Sequence, residues 1–277
     1  MTEEINNHAK NRYGLRSSLA IGLVLFVGLI TLGGCSKNGA NSTTTPSPGT
    51  VVKNSIGMEF AYVPAGSFQM GSNDPKVIDA EPVHQVAFAK GFYMGRYEVT
   101  QAQWQKVMGS NPSMDKSCGE NCPVDKVSWN DAQEFIKKLN AMNDGYTYSL
   151  PSEAEWEYAC RAGTTGDYAG DLNSMAWNKD NSDGKLHPVG QKQPNAWGLY
   201  DMHGNVSEYV MDDYHRDYNG APPDGSAWLG GGDANKRIFR GGVYYDNSYI
   251  RSADRGWGFL ADAGSYIGLR VVAVSLK

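Results

Sequence analysis

Apolar and polar positions divide the chain into three unequal parts. The first closes with an apolar run from Leu19 to Leu32, preceded by Lys10, Arg12 and Arg16 and followed by Gly33-Gly34-Cys35. A basic start, a short apolar core and small residues at its end form a secretory signal, residues 1–35. The core is too short and glycine-rich for a comfortable membrane-spanning helix. Residues 36–52 are dominated by Ser, Thr, Pro, Asn and Gly and have little to bury, so they read as a flexible polar tether. Residues 53–277 carry the periodic stretches and form a single domain, with no internal repeat or second linker.

Within that domain, Met58–Val63 and Gly66–Gly71 read as short strands around the turn Pro64-Ala65-Gly66. Gln85–Ala89 predicts a third strand, and Phe92–Thr100 a fourth that runs into a helix cap. Three short helices follow. Thr100 with Gln103, Ser128 with Asp131 and Ser152 with Glu155 each have capping-box spacing, and Gly109 and Gly163 stand where the first and third should stop. Ala132, Phe135, Ile136 and Leu139 mark the inward face of the second helix, and Trp156, Ala159 and Cys160 that of the third. Glu153, Glu155 and Glu157 suggest acid–base chemistry, but a solvated first turn favoured by the helix dipole accounts for such residues. Val271–Val274 is apolar enough to pair centrally in a sheet.

Composition adds little electrostatic direction. The 277 residues include 33 Gly, 16 Tyr and 7 Trp, which favours a loop-rich globular fold packed with aromatics over a helical bundle. A net charge of −5 and the lack of a basic stripe give no reason to expect nucleic acid. Of the four cysteines, Cys118 and Cys122 in an exported loop suggest a local disulfide, and Cys160 on an apolar helix face a buried, inert thiol. His84, His187, His203 and His215 lack metal-binding spacing. A serine nucleophile elbow, a P-loop and a dinucleotide fingerprint are absent.

The segment Arg240–Arg270 has a rigid frame and a different filling. Arg240-Gly241-Gly242, Arg251-Ser252-Ala253-Asp254-Arg255 and Ile267-Gly268-Leu269-Arg270 form the frame. The filling, Tyr244–Tyr249, Gly256–Phe259 and Ala263–Tyr266, has no Lys, Glu, Gln, Met or Pro and is dense in Tyr, Ser, Asn, Asp and Gly. That mixture suits binding loops, because Tyr supplies rigid amphipathic area and the small polar residues supply adaptable hydrogen bonds. Candidate ligand-binding residues are Tyr244, Tyr245, Asp246, Asn247, Ser248, Tyr249, Asp254, Gly256, Trp257, Phe259, Ser265 and Tyr266.

The frame, the phrase Tyr97–Thr100 (YEVT), the string Leu150–Ala159 and the segment Asn195–Tyr209 together resemble the formylglycine-generating enzyme (sulfatase-modifying factor) family. The resemblance covers residues 53–277 and implies an α+β, loop-rich variant of the C-type lectin fold with short helices and strands. The filling resembles the variable proteins of diversity-generating retroelements, in which randomised AAC codons yield Tyr, Asp, Ser, Gly, Ala, Phe and Ile but never Trp. Trp257 departs from that rule and would be a template residue. Leu32-Gly33-Gly34-Cys35 resembles a bacterial lipobox, which implies lipid on Cys35 and an exported protein anchored to the cell envelope.

Family enzymes oxidise a substrate cysteine with oxygen and a cuprous ion held by two cysteines just after the paired glycines. Here that stretch contains no cysteine, so no copper and no catalytic residue is expected. The family's calcium site implies carboxylates from Asp201 and Glu208 and carbonyls from Gly204 and Val206. Ser207 and Tyr209 stand where the family commonly has Trp. The resulting expectation is a binding lipoprotein for an unidentified protein or glycan. The alternatives are an active oxidative modifying enzyme and a structural component of a gliding or secretion machine.

Overall fold

The computed structural model describes residues 45–77 and 79–275; the signal segment and Cys35 lie outside the described residues. The strands and helices, in chain order, are β1 (Val51–Lys53), β2 (Glu59–Val63), β3 (Gly66–Met70), β4 (His84–Phe88), β5 (Phe92–Gly95), α1 (Gln101–Met108), α2 (Trp129–Asn140), β6 (Tyr146–Ser149), α3 (Glu153–Arg161), α4 (Leu172–Met175), β7 (Ser207–Tyr214), β8 (Asp233–Arg240), β9 (Gly256–Phe259), β10 (Ile267–Leu269) and β11 (Val272–Ser275). This is an α+β, loop-rich arrangement.

Five strands form an antiparallel sheet in the order β1-β2-β5-β11-β6, so the chain's last strand sits inside the sheet between two early ones. A second sheet runs β10-β7-β8-β9, parallel only between β10 and β7. β3 and β4 form a separate hairpin. The turn Pro64-Ala65-Gly66 therefore does not fold β3 onto β2. It sends β3 to pair with β4 while β2 pairs with β1 and β5. The tether also ends earlier than its composition suggests, because Val51 and Val52 pair with Ala61 and Phe60 in β1. Two valines beside a buried strand gain more from pairing than from solvent.

All three expected capping boxes are present, with Thr100, Ser128 and Ser152 accepting the backbone N–H three residues on. Gly109 closes α1 in the left-handed conformation. At the end of α3 that conformation begins at Ala162, one residue before Gly163. α2 buries Ala132, Phe135, Ile136 and Leu139, with Phe135 stacked on Trp104 of α1. They join Leu150, Tyr209, Leu269 and Val271 in one core cluster. A second cluster packs Trp156, Tyr158 and Ala159 of α3 against Val63, Met94, Leu199 and Ile238.

Candidate ligand-binding face

α3 is where the C-terminal stretch is anchored, and its acidic residues are not solvated. Glu153 and Glu157 are buried and receive the frame arginines. Arg255 meets both oxygens of Glu153 at 2.7 and 2.9 Å. Arg240 meets Glu157 and also donates to the carbonyls of Ser252 and Ala253. Arg161 pairs with the same Glu157. Burial alone would raise the Glu153 carboxyl, but Arg255 and Arg240 hold it below the usual range. The expectation of a dipole-stabilised, solvated turn is thus corrected: i, i+4 spacing places both carboxylates on the inward face, where each neutralises a guanidinium. Glu155 alone does capping work, accepting from the Ser152 N–H.

The remaining frame arginines are fixed in the same way. Arg270 pairs with the buried Glu208 and donates to the carbonyls of Gly95 and Tyr200. Arg251 reaches Asp74 at 2.8 Å and is less deeply placed. Gly242, at φ 73°, lies where a Cβ would stand 2.8 Å from the Ile250 Cα, so the second glycine of the pair permits this close approach.

On this frame the filling separates into two aromatic groups. Tyr245 and Tyr266 meet edge to face with centroids 4.5 Å apart, and Tyr244 touches both. Tyr244 is only 8% exposed, however, and packs with Cys122, Leu186 and Val206. It is corrected from a contact residue to the floor beneath Tyr245 and Tyr266. Cys118 and Cys122 form a disulfide that lies against this floor. In the other group, Trp257 and Phe259 project from one side of β9 with Tyr214 and Lys236, and Tyr249 packs edge-on to Phe239.

Gly256–Phe259, whose composition suits a loop, is the edge strand β9, paired with β8. A Cβ at Gly256 would collide with the Phe239 ring, so the glycine that looked like loop flexibility serves ring packing. Tyr249 and Tyr266 hold positive φ angles of 62° and 67°, unusual for bulky residues. Asn247 bridges to the loop at Lys179 and Asp180, and Asp246 accepts from Ser248. Ser265 is exposed, Asp254 is half-buried and Gly256 is buried.

Sequence reading missed Tyr214, Lys236 and Phe239 as neighbours of Trp257 and Phe259. Asp233–Arg240 carries Asp, Lys and two Arg among its eight residues, and that charge hid β8 in the sequence.

Of the four residues expected to hold calcium, Glu208 has its carboxylate engaged by other side chains, and Asp201 keeps one oxygen free. Both Glu208 oxygens accept from Arg270, and one also accepts from the Trp156 indole at 2.7 Å. Asp201 uses one oxygen on the Gly190 N–H, while the other is buried without a partner. The Val206 N–H and Asn205 amide are held by Glu98. Among the described residues, no group of three or more His, Cys, Asp or Glu is placed to hold a metal. Cys160 is buried, and burial pushes its thiol up to about 12. His203 is buried beside it, held by the Ile250 carbonyl and the Ala169 N–H.

The sulfatase-modifying factor enzyme 1-like domain matches residues 48–274. The chain belongs to that family. The chaperone protein LppX of Paenibacillus barcinonensis is 34% identical over 175 residues, which are 44% of this chain and 62% of that protein's own length. Among solved structures, PvdO from Pseudomonas aeruginosa superposes with a TM-score of 0.74 at 34% identity, covering 83% of this chain and 99% of that one. Treponema denticola variable protein 1 gives 0.71 at 26% identity, covering 80% and 98%. The C-type-lectin-like fold and the likeness to a variable protein both follow.

Proposed function

We propose that this family member is an exported, lipid-anchored binding protein whose C-terminal stretch holds a ligand without redox chemistry. One observation carries the reading. Tyr245, Tyr249, Trp257 and Phe259, all exposed, stand on loops and an edge strand whose frame arginines are tied down, three of them by buried carboxylates. Large aromatics on a rigid support lose little freedom on binding and dominate interface energetics. The likeness to a variable protein supports the same use of the stretch, and diversification of its codons belongs to this proposal. The sequence Leu32-Gly33-Gly34-Cys35 supports the anchor; no helix among the described residues is long and apolar enough to cross a membrane.

The test is cross-linked capture from cell-envelope and neighbouring-cell extracts with the purified protein. Tyr245→Ala and Trp257→Ala should each lower recovery of the same ligand by about tenfold or more while leaving the unfolding midpoint unchanged. Copper-dependent loss of the thiol from a sulfatase-motif peptide, at a rate set by this protein, would replace binding with catalysis.

A further inference from the structure

The second aromatic group encloses a pocket of about 300 Å³, and its lining is chemically specific. Phe239, Tyr249 and Trp257 form three aromatic walls, and Val77 adds an aliphatic one. Tyr249 and Trp257 are 51% and 41% exposed, and Phe239 is packed behind them. Tyr249 has a backbone conformation that a large side chain rarely adopts, and its ring packs against Phe239. Such a conformation persists only where its surroundings impose it, and it gathers at binding sites.

The charges in the lining are Lys76, Asp79, Asp254 and Arg255. Arg255 is already matched by both oxygens of Glu153 and by the carbonyls of Asp79 and His215. Asp79 accepts from the Tyr214 hydroxyl at 3.3 Å. Lys76 is exposed, so water and salt screen it. Asp254 is the second carboxylate of the lining, and like Asp79 it leaves one oxygen free of protein donors. One oxygen accepts the Arg251 N–H at 2.9 Å, and the other has no hydrogen-bond partner among the described residues. Burial raises this carboxyl despite the nearby arginines. A neutral apolar occupant would strip water from that oxygen and return nothing, and an anion would be repelled. A cation would meet a carboxylate below and ring faces at the sides, the arrangement that favours ammonium and guanidinium groups. The same indole already holds one such group, with the Lys236 ammonium 3.9 Å from the Trp257 ring centroid. A net charge of −5 also draws basic partners toward the domain.

We propose that this pocket receives a basic side chain, the guanidinium or ammonium end of an arginine or lysine on a partner polypeptide. It would lie between Tyr249 and Trp257 with its charge toward Asp254. The inference rests on the binding face proposed above and assigns it a chemical preference.

The experiment titrates the full protein with arginine amide, lysine amide and glutamate amide, each acetylated at the α-amino group. The readout is the Trp257 indole N–H resonance, assigned by its loss in Trp257→Phe. Both basic probes should give saturable shifts and the acidic probe none. Asp254→Asn keeps an oxygen for the Arg251 N–H but removes the charge, and it should weaken the basic probes by about tenfold or more. Lys76→Ala should tighten them. Unchanged affinity in a folded Asp254→Asn protein, or equal shifts from the glutamate probe, would overturn the assignment. Capture of the natural ligand separates the two proposals. Loss in Tyr245→Ala with retention in Asp254→Asn sinks the pocket alone, whereas retention in Tyr245→Ala, Trp257→Ala and Asp254→Asn alike sinks the whole face.

Discussion

Glu157 and Arg240 meet with neither side chain exposed, and Arg161 shares the same carboxylate. Removing one charge from such a group leaves the others desolvated without compensation. Glu157→Gln is therefore expected to lower stability by about 3–5 kcal/mol, measured by urea unfolding. Tyr245→Ala, at an exposed ring, should change it by less than about 0.5 kcal/mol. His203 gives a pH dependence. Burial pushes its pKa down to about 4 from an ordinary 6.5, so between these values the unfolded chain takes up a proton that the folded chain refuses. Its contribution falls as pH drops through that window, by about 3 kcal/mol in all. Asp201 and Asp212, raised by burial to about 6 and about 7, titrate in the opposite sense and weaken the fold as pH rises. Comparing wild type with His203→Gln at pH 7, 5.5 and 4 isolates the histidine, and wild type should lose its relative stability toward pH 4. The arginine frame was legible from its resemblance to the family's C-terminal strings. The burial of Glu153 and Glu157 was not, because their spacing also fits a solvated first turn.

The helices were the most legible elements, since a capping box is local and its residues lie three apart whatever the rest of the chain does. Ser128→Ala should lower stability by about 1 kcal/mol, seen as a shifted urea midpoint with an unchanged slope. The strands were less legible. β9 contains two glycines in four residues and reads as a loop until Phe239 is found lying against Gly256. β6 and β8 carry exposed or charged positions, so neither shows a continuous apolar run. The disulfide spans four residues, and closing so small a loop contributes only about 2 kcal/mol. Its larger expected effect is local, because it packs against the cluster that seats Tyr244 and Tyr266. Replacing Cys118 and Cys122 by Ser should weaken ligand contacts made through Tyr245 and Tyr266 more than those through Trp257. Binding measured in Tyr245→Ala and Trp257→Ala backgrounds reads that difference.

At the scale of the whole molecule, the chain's end completes its beginning. β11 lies between β5 and β6, and Arg270 just before it donates to the Gly95 carbonyl. A chain ending at Leu269 would leave the place between β5 and β6 in the five-stranded sheet empty and Glu208 without its arginine. It should yield no cooperatively unfolding protein, as circular dichroism and limited proteolysis would show. By itself the sequence determined the helix starts, the family, the arginine frame and the Tyr-rich make-up of the stretch between the frame pieces, because caps, glycine turns and composition act over a few residues. Only the tertiary structure decided which carboxylates neutralise which arginines, that Tyr244 is floor and not surface, that Glu208 is committed to Arg270, and that Asp254 lies among aromatic walls. Those outcomes depend on desolvation and on contacts between segments up to 180 residues apart, and no local pattern records which distant partner removes the water.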